Sequence, residues 1–92
     1  MPEQDELSRL RAEMDALNLT LRGVIQARAR LARRIGAVKR AQGLTLYDPE
    51  REGQMLHALM GEPEDGLAPE RLSEILAEII AACRESAQLS DD

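Results

Sequence analysis

A single arginine interrupts the longest apolar stripe of the chain. From Leu7 onward apolar residues recur three and four positions apart, at Leu7, Leu10, Met14, Leu17, Leu21 and Val24, and the rhythm resumes at Leu31, Ile35 and Val38. Between the two halves the stripe holds Arg28. Such a stripe is the face a helix buries against partner helices. A guanidinium within it costs several kcal/mol unless an anion meets it there. Arg28 is therefore expected to face something negative.

Other charged residues stand at suggestive distances from it. Lys39 follows Arg28 by eleven residues, three helical turns, so the two share nearly one face and lie roughly 16 Å apart along an axis. Arg11 precedes Arg28 by seventeen residues, roughly 25 Å away, too far to serve the same small ligand from the same subunit. In an antiparallel dimer it reaches the partner's site instead. Further on, Arg51 and Glu52 adjoin, and Glu52 shares a stripe with Leu56 and Leu59. An inward carboxylate is costly unless paired or protonated. Several cations, one acid and no aromatic stacking platform suit a small ligand bearing two carboxylates and a hydroxyl.

The elements that must position these groups follow from composition and breakers. The 92 residues make one domain, 1–92, with 1–5 and 89–92 expected to fray, and such a length is marginal for a protein folding alone. Tyr47 is the one aromatic residue and 32% of the chain is charged, a composition of helical bundles rather than sheets. The first helix is expected from about Asp5 to about Gln42, ended by Gly43. At roughly 55 Å it outreaches a globule of this chain length, little more than about 30 Å across. Its seam therefore demands a second copy. A second helix opens at the cap Asp48 with Pro49 in its first turn and ends near Met60-Gly61; a third opens at Pro69 and runs to about Gln88, with Leu72, Ile75, Leu76, Ile79, Ile80 and Cys83 toward the core. The fold class is all-α: three helices per chain in an intertwined homodimeric bundle.

A net charge of −5 argues against nucleic acid or anionic membrane as partner. Cys83 is the sole cysteine, which rules out an internal disulfide and suits a reducing compartment. No apolar run reaches the length of a signal peptide or membrane span, so the expected location is cytoplasmic. One histidine and one cysteine argue against a structural metal site.

Taken together, Leu10-Arg11 through Leu17, the Arg28 to Lys39 spacing, Tyr47-Asp48-Pro49-Glu50-Arg51-Glu52 and Glu78-Ile79-Ile80-Ala81-Ala82-Cys83-Arg84 resemble the all-helical chorismate mutase family, over about residues 7 to 88. The resemblance implies an intertwined homodimer with two composite sites that rearranges chorismate to prephenate in aromatic amino-acid biosynthesis, without a cofactor. It implies that Arg28 and the other subunit's Arg11 bind the two carboxylates of the substrate, and that Lys39 hydrogen-bonds the ether oxygen and touches a carboxylate. By the same resemblance Glu52 and the backbone N–H of Asp48 hold the ring hydroxyl, Arg51 lines the pocket, and Cys83 stands where many members have serine. Family members place a glutamine or glutamate one turn after that serine, facing the ether oxygen; here that offset holds Ala87, and Gln88 follows one position later. Either the helix end adjusts so that Gln88 reaches in, or Lys39 polarises the oxygen without help.

Each residue also has a plainer reading. Arg28 would pair with Glu52 in a structural ion pair, Lys39, Arg51 and Arg11 would be solvated surface charges, Asp48 a helix cap, and Cys83 a small buried residue. His57 falls off the apolar stripe and is expected at the surface. Three competing functions are an isochorismate-pyruvate lyase of the same fold, a non-enzymatic dimerisation module, and a nucleic-acid binder built on Arg28, Arg30, Arg33, Arg34, Lys39 and Arg40. The acids Asp48 and Glu52 favour the mutase over the lyase, the charged seam disfavours a mere dimerisation module, and the basic residues point all around their helix rather than along one stripe. Whether the protein docks on another shikimate-pathway enzyme stays open.

Overall fold

The computed structural model describes residues 2–89. Three helices follow in order, α1 Pro2–Ala41, α2 Pro49–Met60 and α3 Pro69–Gln88, with no strand among the described residues. The helix α1 thus starts three residues ahead of the expected Asp5. The expected tail at 90–92 and the residue Met1 lie outside the described residues.

Each boundary has a local cause. α1 ends where Gly43 adopts φ +72°, and the Leu44 N–H turns back to the Lys39 carbonyl at 2.8 Å. Lys39 and Arg40 occupy its last turn, where cations offset the exposed carbonyls. Asp48 caps α2 by accepting from the Arg51 N–H at 3.0 Å, ahead of Pro49. α3 opens on Pro69 without a side-chain cap.

The long helix sets the shape. The molecule extends 63 × 29 × 15 Å with a radius of gyration of 17.5 Å, against about 12 Å for a compact chain of this length. α3 packs along α1, and α2 packs on α3. Among the described residues the buried apolar side chains all belong to α3: Ile80, Cys83 and Ala87. Leu72, Leu76 and Ile79 are half-buried, whereas Ile75, expected to point at the core, is 38% exposed. Along α1 the whole stripe from Leu7 to Val24 is bare, with Leu17 at 63% exposure. A soluble surface rarely carries so continuous an apolar strip without something to cover it. No helix among the described residues is long and apolar enough to cross a membrane.

Candidate functional site

Where α3 crosses the second half of α1, the three helices enclose a cleft of about 620 Å3. α1 contributes Arg28, Leu31, Ile35 and Lys39 to its wall. The start of α2 brings Asp48, Arg51, Glu52 and Met55, and α3 closes the third side with Ile80, Cys83, Arg84 and Ala87. The spacing of three turns does put Arg28 and Lys39 into one cavity, both half-buried.

The polar groups differ in how far they are already committed. Asp48 spends its carboxylate on the α2 cap, yet remains at the cleft. Glu52 accepts from the Nε of Arg84 at 2.7 Å, and the Arg84 guanidinium lies over the Tyr47 ring at 4.5 Å from its centroid. The acid that the sequence offers as a partner for Arg28 is therefore held by a different arginine. Arg28 itself points its Nη2 toward Met55 Sδ at 3.8 Å, a weak acceptor. Four cationic side chains, Arg28, Lys39, Arg51 and Arg84, face two carboxylates, Asp48 and Glu52, across this cavity. The surplus of two positive charges matches a ligand with two carboxylates.

The remaining predicted residues fall elsewhere. Arg11 is exposed on the first part of α1, outside the cleft. Gln88 is exposed on the last turn of α3, which stays helical through that residue, and the cleft is lined by Ala87 instead. The Ala87 carbonyl accepts from Arg40 Nη1 at 3.1 Å. Cys83 is buried as a free thiol with Ile80 beside the cleft, and His57 is exposed. No group of three metal-ligating side chains occurs among the described residues.

Comparison with known proteins bears on the family to which this three-helix chain belongs. The model of the family described as chorismate mutase type II matches residues 10–88. The chain belongs to that family. A solved structure similar to it is the form II chorismate mutase of Thermus thermophilus, at TM-score 0.87 and 30% identity, covering 95% of this chain and 99% of that one. The bifunctional chorismate mutase/prephenate dehydratase of Aquifex aeolicus is 36% identical over 83 residues, 86% of this chain and 23% of the relative. The T-protein of Enterobacter agglomerans is 33% identical over 88 residues, 95% of this chain and 23% of its own length. The chain thus spans about a quarter of the length of those two relatives. The 4-amino-4-deoxychorismate mutase of Streptomyces venezuelae is 45% identical over 51 residues, 55% of this chain and 50% of the relative.

In this member of the type II chorismate mutase family, two side chains in and beside the cleft are hard to single out from the sequence. Arg84 stands out in the sequence only as the last residue of a longer motif, although its position next to Cys83, at the edge of the apolar face of α3, marks it as a cation on the rim of a buried surface. Tyr47 offers no platform to a ligand and instead supports that guanidinium.

Proposed function

We propose that this chain rearranges chorismate to prephenate, as one half of an intertwined homodimer with two composite sites. The observation that carries the reading is the convergence of Arg28 and Lys39 from α1 on a cleft with two excess positive charges, faced by Glu52 from α2.

The reaction is a single pericyclic step. A C–O bond breaks as a C–C bond forms, negative charge grows on the ether oxygen, and the enolpyruvyl arm must fold over the ring. No nucleophile is required. Arg28, with the partner subunit's Arg11, anchors the two carboxylates and holds the folded conformer, which removes much of the entropic part of the barrier. Lys39 donates to the ether oxygen, where a preorganised donor is worth about 3 to 4 kcal/mol. Glu52 and the Asp48 N–H receive the ring hydroxyl, Arg51 adds positive potential, and Cys83 shapes the wall as a small apolar group. Ala87 has no donor to offer, and Gln88 would reach the oxygen only if the last turn of α3 rewound. The ether oxygen is therefore assigned to Lys39 alone.

The bare stripe from Leu7 to Val24 supports the second copy, and the position of Arg11 at the far end of α1 supports its use by that copy. The free thiol of Cys83 supports a reducing, cytoplasmic setting. The fusion named in the Aquifex relative makes an enzyme that consumes prephenate the natural neighbour in the pathway.

Chorismate consumption by the purified protein, with chromatography of the product, tests the proposal. Saturable formation of prephenate that Arg28→Ala abolishes upholds it. Release of pyruvate from isochorismate in place of prephenate formation assigns the chain to the lyase, and no turnover of either compound overturns the enzymatic reading.

A further inference from the structure

We propose that Arg84 determines which ring substituent the cleft accepts, making Glu52 a receptor for a hydroxyl and not for an ammonium; the inference rests on the reading of the cleft given above. Three observations carry it.

The first is the pair itself. Glu52 Oε2 accepts from Arg84 Nε at 2.7 Å, and both side chains are 21% exposed. A carboxylate with that guanidinium beside it keeps acceptor positions on its two oxygens, so a neutral hydroxyl can still donate to it. What it has lost is its free negative charge. A ring ammonium placed there would gain Glu52 and meet Arg84 at nearly the same range, and the two effects oppose each other.

The second is that Arg84 is held. Its guanidinium lies over the Tyr47 ring at 4.5 Å, and Tyr47 directly precedes the Asp48 cap that starts α2. Stacking and ion pairing fix the fork from two sides, so it does not swing away to admit a second cation without losing both.

The third is the charge of the whole cleft. Arg28, Lys39 and Arg51 face the same space; with Arg84 the protomer's own groups leave a surplus of two positive charges, and the partner subunit's Arg11 of the proposed composite site adds to it. A substrate that carries an ammonium is a monoanion overall and leaves one more of those charges uncompensated than a dianion does. With Arg84 neutralised, the surplus falls by one and Glu52 faces the cleft as an unpaired acid, which is the arrangement that welcomes an amine.

Arg84 is accordingly a positioning residue that acts through Glu52. The test compares kcat/KM for chorismate and for 4-amino-4-deoxychorismate, the same skeleton with an amino group in place of the hydroxyl. The wild-type chain is expected to favour the hydroxyl compound by about tenfold or more. Arg84→Gln keeps a hydrogen-bond donor near Glu52 and removes the charge; it should move the ratio toward the amine by about tenfold, whatever it does to turnover as such. Arg84→Lys keeps the charge and should keep the preference for the hydroxyl. A loss of activity shared equally by both substrates in Arg84→Gln would mean that Arg84 only holds α2 to α3, and the inference falls. A wild-type ratio near one overturns it regardless of how the variants fold. Absence of turnover of both compounds by the wild-type chain overturns the proposed function and this inference with it, whereas turnover with an unmoved ratio overturns only the part given to Arg84.

Discussion

Gly36 of α1 and Ala87 of α3 meet so closely that a Cβ built on Gly36 would lie 3.4 Å from the Ala87 Cβ and 3.2 Å from Leu46 Cδ2. The approach lets α3 press its small residue Ala87 onto α1 and helps set the width of the cleft between them. A methyl group at this position gains about 1 kcal/mol of helix propensity and needs only a small shift of Leu46, so Gly36→Ala should leave stability within about 1 kcal/mol of the wild type. A branched side chain has no such room. Gly36→Val should cost about 1 to 3 kcal/mol, measured by urea unfolding, and an unchanged midpoint would refute this view of the helix contact.

Lys39 is the one donor assigned to the ether oxygen. Lys39→Ala should lower kcat by about 100- to 1000-fold while circular dichroism and the elution volume stay those of the wild type. Near-normal turnover would remove Lys39 from the mechanism.

Ala87, near the end of the α3 wall of the cleft, carries no side-chain donor. Ala87 and Lys39 line the same cleft, so Ala87→Gln would add an amide to the wall they share. An increase in kcat of about tenfold is expected, the effect of adding a second, imperfectly placed donor. Gln88→Ala, altering an exposed side chain outside the cleft, should leave kcat within about twofold of wild type. A large loss from Gln88→Ala would show that the end of α3 rewinds on binding.

The uncovered stripe predicts coupling between assembly and folding. With so few buried side chains in the protomer, the proposed second copy would supply most of its stability, and the melting temperature should then rise with protein concentration. Leu17→Asp, in the middle of the stripe, should abolish dimers in sedimentation and leave a largely unfolded chain. A stable, concentration-independent monomer would contradict the assembly.

Much of this architecture is legible in the sequence, for identifiable reasons. Asp48-Pro49 and Pro69 punctuate helices by backbone chemistry that tertiary context seldom overrides, and both helices start there. A spacing of eleven residues fixes an angle on a single helix, so the chain order alone places Arg28 and Lys39 together. The ionic partner of Glu52 is not legible in that way. It comes from another helix, 32 residues later, and periodicity gives the face of each helix without the rotation of one helix against its neighbour. Ile75 illustrates the same limit: it lies on the stripe of its helix yet is 38% exposed, because periodicity does not say how far along that stripe another helix reaches.

The length of α1 has a consequence at the level of genetics. Arg11 and Lys39 stand far apart on one long helix, with Lys39 at the cleft and Arg11 outside it, so the proposed composite site would draw its parts from two polypeptide chains. Two inactive alleles, one encoding Arg11→Ala and the other Lys39→Ala, should restore growth when present together, because the mixed dimer contains one site with both side chains intact and one site with neither. Dominance would then be read from dimer statistics, with each defective chain poisoning only the site to which it donates.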